Sequence, residues 1–376
     1  MSKILYKINP DRNIPWNDLP SLPIREELYN TVEIFGRLGE AKAALARLLG
    51  RSSLIPNQGL LINTISLQEA KISSAIENIF TTDDDLYQAY SDQNTEISGA
   101  SKEVLRYREA LWSGYNYLQK TGQFDKDYFI RLFQEIKQTN DGIRPDFLNT
   151  TIKQGGSGPN AGQVSYTPPR GTNIINNKLD NLINFLNDDQ QYKIDHLLKL
   201  AIAHFQFEAI HPFRDGNGRT GRVFNIHYLT QKRLLDVPVL FLSRYILDHK
   251  DDYYSGLMGV SQRGNWKDWI SFMLRAIEST SNITFDKINE IVSTKDSILE
   301  FVKKDPRKFR NPERLIEFLF TQPFTKVKHL VDSGTYAENT ARDYLNKLCE
   351  MQVLEKKTID GHHYYLNLEL YRILSK

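Results

Sequence analysis

The feature that most constrains this chain is a join between two segments of opposite character. The apolar run LAIAHFQFEAI, at 200–210, passes directly into HPFRDGNGRTGRVFNIHYL. The first reads as a strongly apolar helix that delivers the chain to His211, where Pro212 discourages further helix. Gly216 and Gly218 permit backbone conformations in which consecutive amides point at one spot, forming an anion-binding nest. A second helix opens at about Gly218, and its free amides and partial positive charge face the same spot. Arg219 and Arg222 are three residues apart on that helix and share a face. Two guanidinium groups beside an amide nest make a phosphate clamp. Asp215 adds a hard carboxylate oxygen, suited to a magnesium ion that also holds phosphate oxygens. His211 titrates near neutrality and sits at the rim, in reach of a substrate hydroxyl. An isolated GNGR would pass as an ordinary turn between helices, but the whole string 211–222 is too specific for that.

The remainder reads as mainly α-helical. Residues 10–25, rich in proline and asparagine, suggest an extended N-terminal arm that packs through Trp16 and Leu22. Helical patterns run from about 26 to 50, then over 64–80, 84–93, 99–119 and 125–138. The stretch 140–172 is crowded with glycine, proline and asparagine, and long irregular connections inside compact domains often carry function. The alternation in QVSYTP suggests a short strand or hairpin there. Further helices are expected near 174–187, 193–209, 218–232, 247–261, 264–281 and 283–304. KKDPRKFRNP reads as a linker. Beyond it, LIEFLF, TKVKHLV and ENTARDYLNKLCEMQVL are three helical stretches, and KKTIDGHHYYLNL suggests two strands around a turn. That order is the winged-helix arrangement. The expected division is an N-terminal helical region at 1–96, a core at 97–282, a helix and linker at 283–310 and a winged helix at 311–376.

Composition narrows the function classes. With 48 basic and 46 acidic residues the net charge is only +2, which is no global signature of nucleic-acid binding. The opening MSKILYKINP lacks the apolar core of a secretory signal, and no apolar run is long enough to span a bilayer, so a cytoplasmic protein with no membrane partner is expected. The single cysteine, Cys349, excludes an intramolecular disulfide and reads as a helix core residue. In the C-terminal unit, Asn339, Thr340, Arg342 and Lys347 lie on or near the exposed side of the third helix, with Lys356, Lys357, His362 and His363 on the hairpin. Glu338, Asp343 and Glu350 dilute that charge, so DNA contact and protein docking both stay open. His329, His362 and His363 have neither the spacing nor the neighbours of a metal cluster.

HPFRDGNGRTGR matches the Fic-domain signature HxFx[DE]GNGRxxR at every defined position, and the chain resembles Fic proteins over nearly all of 10–280. The segment through YTPP resembles the Fic flap, and LSRYILDHKDDYY resembles the segment that follows the motif. The resemblance implies a protein adenylyltransferase, which moves AMP from ATP to a hydroxyl side chain of a target protein or of itself. It implies His211 as general base, Phe213 as the anchor of the loop, and Asp215 as ligand of magnesium, with manganese as the alternative. Gly216, Asn217 and Gly218 would hold phosphate oxygens, and Arg219 and Arg222 the outer phosphates. Val164, Ser165 and Tyr166 would dock the target by strand addition. Tyr253 would lie near the adenine or, equally, pack against the core. Other donors, the reverse removal of AMP, and a nucleotide-sensing regulator are alternatives, although an intact His211 favours catalysis.

SSAIEN, at 73–78, places Ser73 and Glu77 four apart on one helix face. By itself this is a solvated glutamate with a serine neighbour. Beside the Fic motif it resembles the inhibitory [ST]xxxE[GN] of class II Fic proteins, here Ser73, Glu77 and Asn78. The resemblance implies that Glu77 pairs with Arg222 and keeps the γ-phosphate from its productive place. A carboxylate on a guanidinium competes with phosphate for the same donors. Target binding or a homodimer could open such a pair.

Overall fold

The computed structural model describes residues 5–52, 58–91, 99–153, 162–304, 308–359 and 361–375, without the side chains of 58–63. In chain order the elements are α1 (Val32–Ser52), α2 (Gln58–Ile76), α3 (Asp83–Ser91), α4 (Gly99–Thr121), α5 (Lys126–Lys137), β1 (Ile152–Lys153), β2 (Val164–Tyr166), α6 (Thr172–Asn187), α7 (His196–Ile210), α8 (Asn217–Gln231), α9 (Leu242–Asp248), α10 (Lys250–Arg263) and α11 (Trp266–Lys303). A C-terminal unit follows, with α12 (Pro312–Leu319), β3 (Phe324–Thr325), α13 (Val327–Asp332), α14 (Glu338–Glu350), β4 (Leu354–Ile359), β5 (His362–Asn367) and α15 (Leu368–Ser375). The fold is mainly helical, as the periodicity predicts. No described helix is long and apolar enough to cross a membrane.

A helix that is apolar on every side must be covered on every side. From Leu197 to Ile210, α7 is buried at every residue except Glu208, and α8 is buried over almost its whole length. These two helices form the centre, joined by the loop at 211–216. Gly221 lets them approach, because a Cβ there would collide with the Glu208 carboxylate and press on Phe207 Cδ1 at 3.2 Å. Aromatic rings from α5 fill the space beside them, with Phe129 stacked on Phe207 at 5.2 Å and Phe133 on Phe213 at 4.4 Å. Asp125 starts α5 and Asp195 starts α7, each accepting a backbone amide of the first turn. The arm packs as expected, with Trp16 and Leu22 buried and Asn181 bonding both the amide and the carbonyl of Leu22.

Several element boundaries differ from expectation for physical reasons. Helix α1 begins at Val32, and the expected start near 26 is a 3-10 turn, Glu26–Leu28. Helix α2 starts at Gln58 and stops at Ile76, short of the expected 80, because Asn78 takes a left-handed conformation (φ 60°) and Ile79 turns its amide back to Ser74 O at 3.1 Å. The expected break between 281 and 283 is absent, and Trp266–Lys303 is a single helix of 38 residues. Its polar middle holds no glycine or proline, and Thr280 and Thr284 return their hydroxyls to Ala276 O and Thr280 O. Helix α1 lies along it, with Arg47 and Arg51 bonded to Asn282 and Asn289.

In the C-terminal unit, β3, β5 and β4 form an antiparallel sheet in that spatial order. Strand β3 and helix α15 were not anticipated, the first because two residues show no periodicity. Arg342 and Lys347 pair within α14 to Glu338 (2.7 Å) and Asp343 (2.6 Å). His329 bonds Ser91 O at 2.9 Å and so serves packing. No group of three metal-ligating side chains occurs among the described residues.

The unit docks on α3, which in turn braces α2. Tyr87 stacks on Phe324 and meets Tyr371 edge-on, while its hydroxyl and Asp83 take Gln68 of α2, and Lys71 pairs with Asp83 at 2.7 Å. Tyr87→Ala should therefore cost about 3–5 kcal/mol of unfolding free energy in a urea titration. Tyr87→Phe, which keeps the stack and loses one hydrogen bond, should cost about 1 kcal/mol.

Candidate active site

The loop between α7 and α8 is held in an unusual shape. His211 ends α7 in the left-handed region (φ 49°, ψ 60°), a conformation rare for a residue with a side chain. Arg144, from the irregular stretch before the ribbon, over-determines it. Its Nε donates to His211 O at 2.7 Å and its Nη2 to Ile210 O and Pro169 O, while its amide donates to Pro212 O. Phe213 is fully buried on Phe133. Gly216 follows in the left-handed region (φ 77°) with Lys137 packed beneath it, so a Cβ would be both strained and crowded.

Asn217 departs from expectation. Its Oδ1 accepts from Phe213 N at 2.9 Å and its Nδ2 donates to Phe213 O at 2.8 Å. Both ends of the amide are spent closing the loop, so Asn217 shapes the nest and does not face it. Asp215 stays at the surface, with 68% of its side chain exposed and Oδ2 paired to Lys137 Nζ at 2.7 Å. Partial burial would raise its pKa, but the Lys137 hydrogen bond and charge, the Gly216 amide and the charge of Arg219 hold it below the usual carboxylate range. His211 is pushed down to about 4, first by burial and then by the charge of Arg144, which makes it a neutral imidazole at pH 7.

The end of α2 closes over this nest. Arg222 is only 1% exposed, and its fork is filled by α2. Nε donates to Ser73 Oγ at 2.8 Å, and Nη2 donates to Ser73 O at 3.0 Å and Glu77 Oε1 at 2.9 Å. A Cβ on Gly218 would lie 2.6 Å from Glu77 Oε1, so the carboxylate rests on the first turn of α8, where an anion is favoured. Burial opposes its charge, yet Arg222, Arg219 and Lys250 keep Glu77 ionised with a lowered pKa. Asn78 contributes the left-handed turn that aims Glu77, and Lys250 Nζ caps Ile76 O. One turn earlier than Ser73, Glu69 is buried and accepts from Ser243 and Tyr107, which fastens α2 to α9 and α4.

Other expected residues separate. Tyr253 is 2% exposed, with its hydroxyl on His204 Nε2 at 2.9 Å and its ring against Trp269, so it packs in the core and is not presented to a ligand. Its neighbour Tyr254 is partly exposed and senses the charges of Glu77 and Arg222. In the ribbon, β2 pairs antiparallel with β1 through a bulge, and Tyr166 is tied by its hydroxyl to Ala209 O at 2.8 Å, leaving Val164 and Ser165 half-buried before it. Arg144, Glu103, Lys137 and Glu208 were not anticipated. Glu208 had a visible signal, a carboxylate in an otherwise apolar run, and burial raises its pKa to about 7. Arg219 pairs with Glu103 of α4 at 2.6 Å. Asn217→Ala should strand two buried backbone groups of Phe213 and cost about 2–4 kcal/mol in chemical denaturation.

Known proteins resemble the chain in sequence and in fold. The model described as Fic/DOC family N-terminal matches residues 35–116, and that of the Fic/DOC family matches 123–229. The model of the protein adenylyltransferase SoFic-like C-terminal domain matches 295–370. Among curated proteins, the protein adenylyltransferase fic-1 of Caenorhabditis elegans is 28% identical over 31% of this chain and 22% of its own. A protein of Aquifex aeolicus described as a probable protein adenylyltransferase is 26% identical over 56% of each chain. The chain thus spans between about a fifth and just over half of these relatives. Among solved structures, a Fic family protein of Desulfovibrio desulfuricans superposes with a TM-score of 0.53 at 20% identity, covering 92% of this chain and 98% of that one. A Fic domain containing signaling protein of Bacteroides thetaiotaomicron gives 0.53 at 14% identity, over 66% of this chain and 95% of that one. Three matching models in register along the sequence, and two solved folds that agree with them, establish that this chain belongs to the Fic/DOC family.

Proposed function

We propose that the chain is a protein adenylyltransferase, which transfers AMP from ATP to a hydroxyl side chain of a target protein or of itself, and that Glu77 restrains it. The observation that carries this reading is a neutral His211 at the mouth of an anion nest whose arginine already holds a carboxylate. In the reaction, His211 takes the proton of the target hydroxyl and the freed oxygen attacks the α-phosphorus. The bond from that phosphorus to the bridging oxygen breaks, and pyrophosphate leaves. The amide of Gly218, with Arg219 and Arg222, takes up the phosphate charge once Glu77 has moved aside, while the Gly216 amide stays on Asp215. A pre-aligned base and phosphate chain supply the acceleration, since little covalent chemistry falls to the protein.

Asp215 is suited to hold a magnesium or manganese ion that arrives with the nucleotide, since one exposed carboxylate completes a shell otherwise made of phosphate oxygens and water. Such an ion would neutralise phosphate charge. In this state Lys137 occupies the carboxylate in its place. Val164 and Ser165 on β2 would offer a strand edge to an extended target segment. For the C-terminal unit, read as a winged helix, the internal pairing of Arg342 and Lys347 favours a protein partner over DNA.

Intact-mass measurement after incubation with ATP and magnesium tests the reading. Glu77→Gly should gain AMP-sized mass at least about tenfold faster than the native protein, because a charge-assisted competitor leaves Arg222. Adding His211→Ala should lower that rate by about 10²–10⁴, the usual contribution of a general base. A phosphate-sized gain, or equal incorporation in all three proteins, would overturn the proposal. The pH profile carries a second expectation. Because the His211 pKa is lowered to about 4, the base stays unprotonated as pH falls from 7 to 5. Transfer by Glu77→Gly should decline only on approaching pH 4, and an acid limb near the 6.5 of free imidazole would contradict this.

A further inference from the structure

The two arginines of the motif leave α8 three residues apart, yet their forks are treated differently. Arg222 is gripped from α2 on two of its nitrogens, with Nε on Ser73 Oγ and Nη2 on Ser73 O and Glu77. Arg219, 2% exposed, is held at a single corner, with Nη1 on Glu103 Oε2 at 2.6 Å. Its Nε is buried and has no hydrogen-bond partner among the described residues. Arg219 follows Gly218, against which Glu77 rests, in the first turn of α8, and its charge helps hold Asp215 and Glu77 ionised.

Glu103 stands in the first turns of α4, a helix fixed by the buried Ser101 before it and Val104 and Tyr107 after it, and its carboxylate is 31% exposed. A buried guanidinium without a counter-charge is strongly unfavourable, and a cation in the first turn of a helix also opposes the helix dipole. Glu103 offsets both. Removing it would drive Arg219 toward water and carry its free donor away from the nest.

We propose that Glu103 is a positioning residue for the nucleotide. It anchors Arg219 through Nη1 and thereby keeps the unpartnered Nε available to an outer phosphate oxygen of ATP. The inference rests on the nucleotide reading of the site given above. Each carboxylate takes one donor, Glu77 from Arg222 and Glu103 from Arg219, but Ser73 engages Arg222 twice more while the Arg219 Nε has no such second partner. Thus Arg222 is withheld and Arg219 is poised.

The test compares ATP with AMP, which lacks the outer phosphates, by calorimetric titration of the full chain. The proteins are Glu77→Gly alone and with Glu103→Ala or Glu103→Gln, each confirmed folded by circular dichroism at the titration temperature. Glu103→Ala should weaken ATP at least tenfold and AMP less than twofold. Glu103→Gln, which keeps an acceptor oxygen, should restore most of the loss. Parallel weakening of both nucleotides would reveal a merely structural role, tighter ATP binding a second brake, and unchanged affinity no role; each overturns the proposal. Mass measurement on the same proteins separates the two claims. If Glu77→Gly gains no AMP while the ATP-selective loss holds, the catalytic reading falls and the role of Glu103 stands. If AMP transfer is present and ATP affinity ignores Glu103, the converse holds.

Discussion

Everything in this site depends on a guanidinium buried in the middle of a helical protein. Arg222 cannot be left without an anion, because a desolvated charge is tolerated only when paired and hydrogen-bonded. The helix that carries it also points its N-terminus at the same place, which adds to the demand. Three carboxylates surround Arg222 closely enough to feel it, but they are not equivalent. Burial pushes Glu69 and Glu208 up, against their charged forms. Glu77 is held ionised, and it is the carboxylate whose charge answers the arginine in full. The contact to which the proposed restraint is assigned is therefore also the contact that makes the buried arginine tolerable. Arg222 can exchange one anion for another, but it cannot go without.

That condition shapes what must move. Helix α2 is fastened by Glu69 to α9 and α4, and by Gln68 and Lys71 to α3, which carries the C-terminal unit on Tyr87. Displacing the helix as a body would break all of these. Glu77, however, lies one residue beyond the last helical position, and Asn78 has already turned the chain away. Its side chain is about one-third exposed, so the release proposed above would ask for a change of rotamer at the helix end and no displacement of the helix. Ser73 can remain on Arg222 Nε while the Glu77 position passes to a phosphate oxygen.

The sequence made the motif legible because each of its residues answers a local demand. A left-handed glycine, a helix start and two arginines on one face can be derived without knowing what lies nearby. The partners that complete the site were not legible. Arg144 reaches His211 from 67 residues away, and Glu103 reaches Arg219 from 116 away, so neither leaves a periodic trace. The Asn217 side chain reads in the sequence as a ligand, whereas in the structure the loop takes both of its hydrogen bonds. The buried face of α10 that takes Tyr253 was a packing outcome, and the tyrosine beside it stayed in partial contact with solvent. A similar limit applied to α11, where a polar stretch looked like an end and threonine hydroxyls turned back onto the helix.

Arg144 links the shape of the loop to the chemistry of its histidine. Its donors hold the carbonyls of Ile210 and His211 and so keep His211 in a backbone conformation that it would not choose alone. Its positive charge also disfavours the imidazolium, and together with burial it leaves the ring as an unprotonated base. The same guanidinium grips Pro169, a few residues after β2, so the ribbon and the base are referred to one fixed point. With the loop braced by Asn217, the base by Arg144 and the first arginine by Glu103, the polar framework is set before any ligand arrives. Preorganisation of that kind leaves the Glu77 contact on Arg222 as the one on which the proposed restraint turns.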